Sequence, residues 1–232
     1  MSNLIRVAWG PKSSTVGECA ICVARTLDSL ASLHPLLAHW WPTGTKYSEE
    51  VCSTAIPQLE GLVRRGVNRR DSDQSVIEDL GFSVSLWNRH KSSDKMVTIR
   101  FQCSATFRPS SGAANLIVIK LPNEISDKQI LLAILRELDS IWEPRFGVVC
   151  ASEAIHRRET VDPSPLVGWM TLLPCQVTRW LAGTPGVTVI PLDKSSNVIV
   201  VVDEENQDVG AHDAISNAMR NLAETNLLEI VR

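Results

Sequence analysis

Apolar residues recur along this 232-residue chain at spacings of three and four in some stretches and of two in others, and each change of period marks a new element. Leu4 to Trp9 reads as a short opening strand closed by Gly10-Pro11. The phrase Thr15-Val-Gly-Glu18 has the spacing of a capping box, in which the threonine oxygen accepts the N3 amide and the glutamate reaches back to the Thr15 amide. A helix is expected from there, with Val16, Ala20, Val23, Leu27 and Leu30 along one apolar stripe. His34-Pro35 ends it, because the residue before a proline disfavours the α region. After the apolar segment Leu36 to Thr43, Ser48 is expected to cap a second helix, with Glu49 and Glu50 in its first turn. Pro57 should kink that helix, and Arg64-Arg65 should close it before Gly66.

From Phe82 the period becomes two. Phe82, Val84 and Leu86 alternate with Ser83, Ser85 and Trp87, while Val97, Ile99, Phe101 and Cys103 alternate with Thr98, Arg100 and Gln102. These are half-buried strands, expected to pair antiparallel across Asn88 to Lys95. A third strand follows at Leu116 to Leu121. Ser126-Asp-Lys-Gln129 then matches a second capping box, opening a helix with Leu131, Ile134, Leu135, Leu138 and Ile141 on its core stripe. Further strands are expected at Phe146 to Cys150, Gly168 to Leu173, Val187 to Ile190 and Val198 to Val202, the last two as a hairpin through Asp193 to Ser196. Ala211 to Leu222 reads as an amphipathic helix and Leu227 to Val231 as a terminal strand. Such blocks, joined by short polar connections, predict an α+β fold with a mostly antiparallel sheet packed with several amphipathic helices. Residues 1–232 read as a single domain or as two packed halves, with Glu153 to Pro165 as the exposed loop or boundary.

Composition adds bounds. A hydrophobic content of 44%, a charged content of 21% and a mean hydropathy of +0.01 are those of an ordinary globular protein. A chain of this size buries roughly 70% or more of its unfolded surface and needs no disulfides. There is neither an apolar run of secretory length near Met1 nor an uninterrupted apolar stretch of membrane length, so a cytoplasmic location with no membrane partner is expected. Cys19, Cys22, Cys52, Cys103, Cys150 and Cys175 lie among small or apolar neighbours and read as buried free thiols. Net charge is −3, which argues against a direct nucleic-acid partner. It is unevenly spread: Leu192 to Arg232 carries eight acidic and three basic residues, a solvated face or a docking surface for a basic partner.

The seven tryptophans read first as amphipathic anchors that bury their rings and keep a partner for the indole N–H. No catalytic constellation accompanies them. There is no GxSxG elbow, and Ser92-Ser-Asp-Lys95 has the SxxK spacing only within a hairpin connection. Cys19 and Cys22 form a CxxC inside a helix with no second ligand pair, and His34 with His39 misses the i, i+4 spacing of a helical metal site. No glycine-rich phosphate loop follows a strand. The basic run Arg64, Arg65, Arg69 and Arg70 suits a helix C-terminus and pairing with Asp71 and Asp73. No catalytic residue, metal or cofactor is assigned, and a binding protein is expected before an enzyme.

Taken in order, AWGPK at 8–12, HWWPTG at 39–44, NRRD at 68–71, LGFSVSLWN at 80–88, WEPRF at 142–146 and VGWM at 167–170 resemble the immunity protein 52 family of bacterial polymorphic toxin systems. The resemblance covers residues 8–173 and implies a cytoplasmic antitoxin-like protein that binds a cognate secreted toxin. It further implies a toxin similar to nucleases of restriction-endonuclease fold, delivered by contact-dependent or type VI secretion. Such a protein either plugs the nuclease cleft or binds elsewhere and blocks assembly or substrate entry. Candidate partner-binding residues are Trp40 and Trp41, together with the acidic residues Asp203, Glu204, Glu205 and Asp208, which would mimic phosphates. Two other classes stay open: a secretion adaptor or chaperone, and a small hydrolase in which distant residues such as His156 and Asp162 converge.

Overall fold

The capping box at Thr15 forms as its spacing predicts: Thr15 Oγ1 accepts the Glu18 amide at 3.2 Å, and Glu18 Oε2 accepts the Thr15 amide at 2.7 Å. It opens helix α1, Val16–Leu33, which stops at an extended His34 before Pro35. The computed structural model describes residues 2–44, 49–107, 114–151, 167–193, 195–202 and 209–224. The expected terminal strand at Leu227 to Val231 and the boundary segment at 153–165 lie outside them.

Helix α2 departs from expectation. It spans Ile56–Arg65, so Pro57 sits in its first turn. An amide there has no intrahelical partner to lose, and the proline starts the helix instead of kinking it. The helix closes at Gly66 with Arg64 and Arg65 in its last turn, as expected. Helix α3, Lys128–Trp142, also begins one residue later than its box predicts. Asp127 is the cap, its carboxylate accepting the Gln129 and Ile130 amides at 2.7 and 3.4 Å. A charged acceptor that takes two amides outcompetes the neighbouring Ser126 hydroxyl. Helix α3 ends at a left-handed Glu143, ahead of Pro144.

Nine strands form one sheet: β1 Asn3–Trp9, β2 Trp41–Pro42, β3 Phe82–Trp87, β4 Thr98–Cys103, β5 Asn115–Leu121, β6 Phe146–Ala151, β7 Met170–Pro174, β8 Val187–Pro191 and β9 Asn197–Val202. Their order is β2-β3-β4-β5-β1-β6-β7-β9-β8, and every pairing is antiparallel. The first strand of the chain thus lies at the centre, between β5 and β6. The fold is α+β, as the blocks of period predict.

Alternation along each strand creates two cores. Ile5 and Val7 of β1, Val84 and Leu86 of β3, Ile99 and Phe101 of β4 and Ile117 and Ile119 of β5 face α1, α2 and α3. The opposite face is covered from β6 to β9, where Val148, Leu173, Val198 and Val200 pack with the short helix α4, Thr178–Leu181, and with α5, Val209–Glu224. Gly81 lets the chain enter β3 beside β4: its φ is 59°, and a Cβ there would lie 2.2 Å from the Cys103 carbonyl oxygen. Asn115 locks the other end, fully buried, taking the Ala105 amide at 2.8 Å and donating to the Gly10 and Ala105 carbonyls.

Candidate partner-binding face

Trp40, just before β2, lies in the larger core, whereas Trp41 shares the opposite side of the sheet with its pair Trp87, since Pro42 and its pair Leu86 take the core side. Trp40 is 1% exposed in the larger core, and its indole N–H donates to the Leu37 carbonyl at 2.9 Å. It is an internal anchor and presents no ring to a partner. Trp41 is half-buried and stands opposite Trp87 in the β2–β3 pair. His39 lies 6.4 Å from it ring to ring, and the Arg89 guanidinium sits 5.9 Å from its ring centre. His39 Nδ1 meets Glu50 Oε1 at 2.5 Å on the exposed rim.

Register extends this edge into a face, because residues directly opposite on neighbouring strands share a side. One row runs Trp41, Trp87, Thr98, Lys120 and Leu4. The next runs Ser85, Arg100, Val118 and Arg6, and a third Ser83, Gln102 and Leu116. Arg100 and Lys120 are exposed, while Arg6, Ser83, Ser85, Trp87, Thr98 and Gln102 are half-buried. Among the described residues the core under α4 and α5 extends from the β6–β9 half to Leu4 of β1 and Val118 of β5, and takes in no residue of β2, β3 or β4. Sequence alternation marks the side of each residue within β3 and β4. It does not reveal that β5 and β1 continue the same rows, since that depends on strand order.

The acidic residues Asp203, Glu204, Glu205 and Asp208 lie outside the described residues, as do His156 and Asp162. The other candidates for chemistry have local partners. The Ser92 hydroxyl donates to Asp94, and Lys95 pairs with Glu124 at 3.7 Å, so serine and lysine do not meet. His34 Nδ1 accepts the Leu36 amide, and His90 Nδ1 the Ser92 amide. The basic run pairs differently from expectation: Arg64 meets Glu60 at 3.3 Å, Arg69 donates to the Gln74 carbonyl, and Asp73 accepts from Ser75. The one-turn spacing of Glu60 and Arg64 and the tight turn at Asp73 favour these nearer partners.

Cys19, Cys22 and Cys103 line a small cavity of about 40 Å³ beside Trp9 and Trp142. A hydrogen bond between Cys103 and Cys19 holds Cys19 below the usual thiol range and drives Cys103 up, and burial raises Cys103 further. Burial also raises Cys22 and pushes Cys150 up to about 11. Cys22 is half-buried and Cys52 and Cys175 are exposed, contrary to the reading of all six thiols as buried; the two exposed ones sit at turns beside their elements. No group of three or more His, Cys, Asp or Glu among the described residues could hold a metal ion. No helix among them is long and apolar enough to cross a membrane.

A family model described as Immunity protein 52 matches residues 5–228. No curated protein matches. Among solved structures, the chain is similar to one titled Pseudomonas aeruginosa T6SS protein PA0821, with a TM-score of 0.50 and 11% identity over 94% of this chain and 72% of that one. At that identity the likeness shows the fold alone.

Proposed function

Since the chain belongs to the immunity protein 52 family, we propose that it neutralises a cognate secreted bacterial toxin by binding it, in the cytoplasm of the cell that makes both. Family membership over nearly the whole chain is the observation that carries this reading. The toxin is a nuclease of restriction-endonuclease-like fold, delivered by a type VI or contact-dependent system, and the complex protects the producer and its siblings. Likeness in fold to a protein titled as a type VI secretion protein supports that setting. The local partners of Ser92, Lys95, His34 and His90 favour binding over catalysis as the means of protection.

Two modes of inhibition fit. The acidic run Asp203, Glu204, Glu205 and Asp208 would plug a nuclease cleft by standing in for phosphates, or another surface would bind the toxin and close its substrate path. The test is co-expression with the toxin encoded by the adjacent gene, followed by co-purification with a catalytically inactive form of that toxin. Rescue with a stoichiometric complex is expected. Rescue without a complex would replace this reading with an enzymatic one, and a complex without rescue would make the protein an adaptor.

A further inference from the structure

We infer that the sheet face running from Trp41 through Arg100 and Lys120 to Arg6, where it meets the rim of the second core, is the surface that holds the toxin, and that the toxin meets it with an acidic patch. This inference rests on the immunity reading and selects its second mode, in which binding does not depend on the acidic run.

Three cations carry the argument. Arg100 and Arg6 flank Val118 in one cross-strand row, and Lys120 lies two residues along β5 from Val118. Strand spacing and rise place Lys120 about 8 Å from each arginine and the arginines about 10 Å apart at their Cα atoms. Among the described residues none of the three has an ion-pair partner. At physiological ionic strength the Debye length is ~8 Å, so they act as one positive patch whose mutual repulsion is only partly screened. A sheet that carries such a patch gains nothing from it in isolation. An incoming carboxylate cluster relieves it.

The neighbours of the patch decide the class of partner. Trp41 and Trp87 stand at one edge, and Ser83, Ser85, Thr98 and Gln102 surround the cations with neutral donors and acceptors. Tryptophan and arginine amid neutral polar groups are the makings of a protein interface, where these two residue types dominate the hot spots. A nucleic-acid surface requires many more phosphate contacts than three cations supply, and the net charge of −3 opposes it. A second copy of this chain fits no better. A twofold contact sets the same patch on both sides, bringing Arg100 and Lys120 against their own kind.

Association kinetics with the catalytically inactive toxin test the inference, at low and at high salt, for the wild type, for R100E/K120E and for R64E/R136E. The last pair makes a charge change of the same size on α2 and α3, in the opposite layer. R100E/K120E is expected to slow association at least tenfold at low salt, with the gap narrowing at high salt, and to lose protection in co-expression; R64E/R136E should change the rate less than twofold. All four positions are exposed, and melting curves confirm folding. R100A/K120A supplies a milder variant and is expected to fall between the wild type and the reversal. Wild-type binding with an unaffected R100E/K120E overturns this inference and leaves the immunity reading intact. Equal losses in both reversed pairs also overturn it, since the effect would then follow net charge. A self-associating wild type that R100E/K120E makes monomeric, with toxin binding unchanged, assigns the face to a second copy. No wild-type complex at all removes the immunity reading and this inference together.

Discussion

Trp40 and Trp41 are the same residue type one position apart, and they are expected to respond oppositely to truncation. Trp40→Ala empties a fully enclosed site and strands the Leu37 carbonyl that accepts its indole, so unfolding free energy should fall by about 3–5 kcal/mol in urea titration. Trp41→Ala removes a half-buried ring from the edge of the candidate face. Its stability should stay within about 1 kcal/mol of wild type, while toxin affinity drops at least tenfold, as at a hot spot. The thiols give a second residue-scale expectation. Cys52 is exposed, and its pKa is lowered by hydrogen bonding to Thr54, whereas Cys103 and Cys150 are buried and raised. Timed alkylation of the native protein, read by mass spectrometry, should modify Cys52 first and leave Cys103 and Cys150 until the protein unfolds. Early labelling of Cys103 would mean that the cavity beside Trp142 opens readily.

At the scale of elements, the helix starts are where local chemistry is most testable. Thr15→Ala and Asp127→Ala should each cost about 1 kcal/mol, because each removes the side-chain acceptor for orphan amides of a helix N-terminus. Pro57→Ala should change stability by less than about 1 kcal/mol, since a proline in the first turn has no hydrogen bond to restore. A gain of several kcal/mol would instead point to a kink. Ser126→Ala, at the residue first expected to cap α3, should be close to neutral, and a loss equal to that of Asp127→Ala would return the cap to Ser126. The strand and helix periods that predict these elements hold where one face is buried, and the core stripes of α1 and α3 are nearly as expected. The sequence pattern places the start of α2 too early, at Ser48, which lies outside the described residues, because Glu49 and Glu50 look like first-turn carboxylates. The chain between them and Ile56 is tied instead to the Trp40 segment, through the Val51 amide on the Trp40 carbonyl at 2.8 Å.

For the whole molecule, acid response follows from three hydrogen-bonded carboxylates. The Thr15 amide and then its hydroxyl hold Glu18 below its ordinary value, the Ser75 hydroxyl and then its amide do so for Asp73, and the Ser92 hydroxyl does so for Asp94. A depressed folded pKa stabilises the protein fully above the unfolded value and loses that contribution as pH falls through the folded value. The three contributions should therefore be complete above about pH 4.5 and fade below it. Thermal melts between pH 6 and pH 2 should show this, and Glu18→Gln should flatten part of the decline. An unaltered profile in that variant would show that the capping box does not persist in solution. All three groups are exposed, so the effect is modest, and the two cores carry the bulk of the stability.

Sequence by itself determined the periods, the Thr15 box, the strand-internal alternation and the α+β class, because each depends on residues within a few positions of one another. It also separated Ser83, Ser85 and Trp87, and Thr98, Arg100 and Gln102, from their apolar neighbours, which is the β3 and β4 part of the candidate face. Only the tertiary structure decided that β1 lies between β5 and β6, and that Arg6, Arg100 and Lys120 therefore share one surface although they are far apart in the chain. It likewise decided that Trp40 faces the core while Trp41 faces outward, and that among the described residues the second core reaches Leu4 and Val118 but takes in nothing from β2, β3 or β4. Long-range register joins residues that local pattern treats separately, and a binding face is a property of that register.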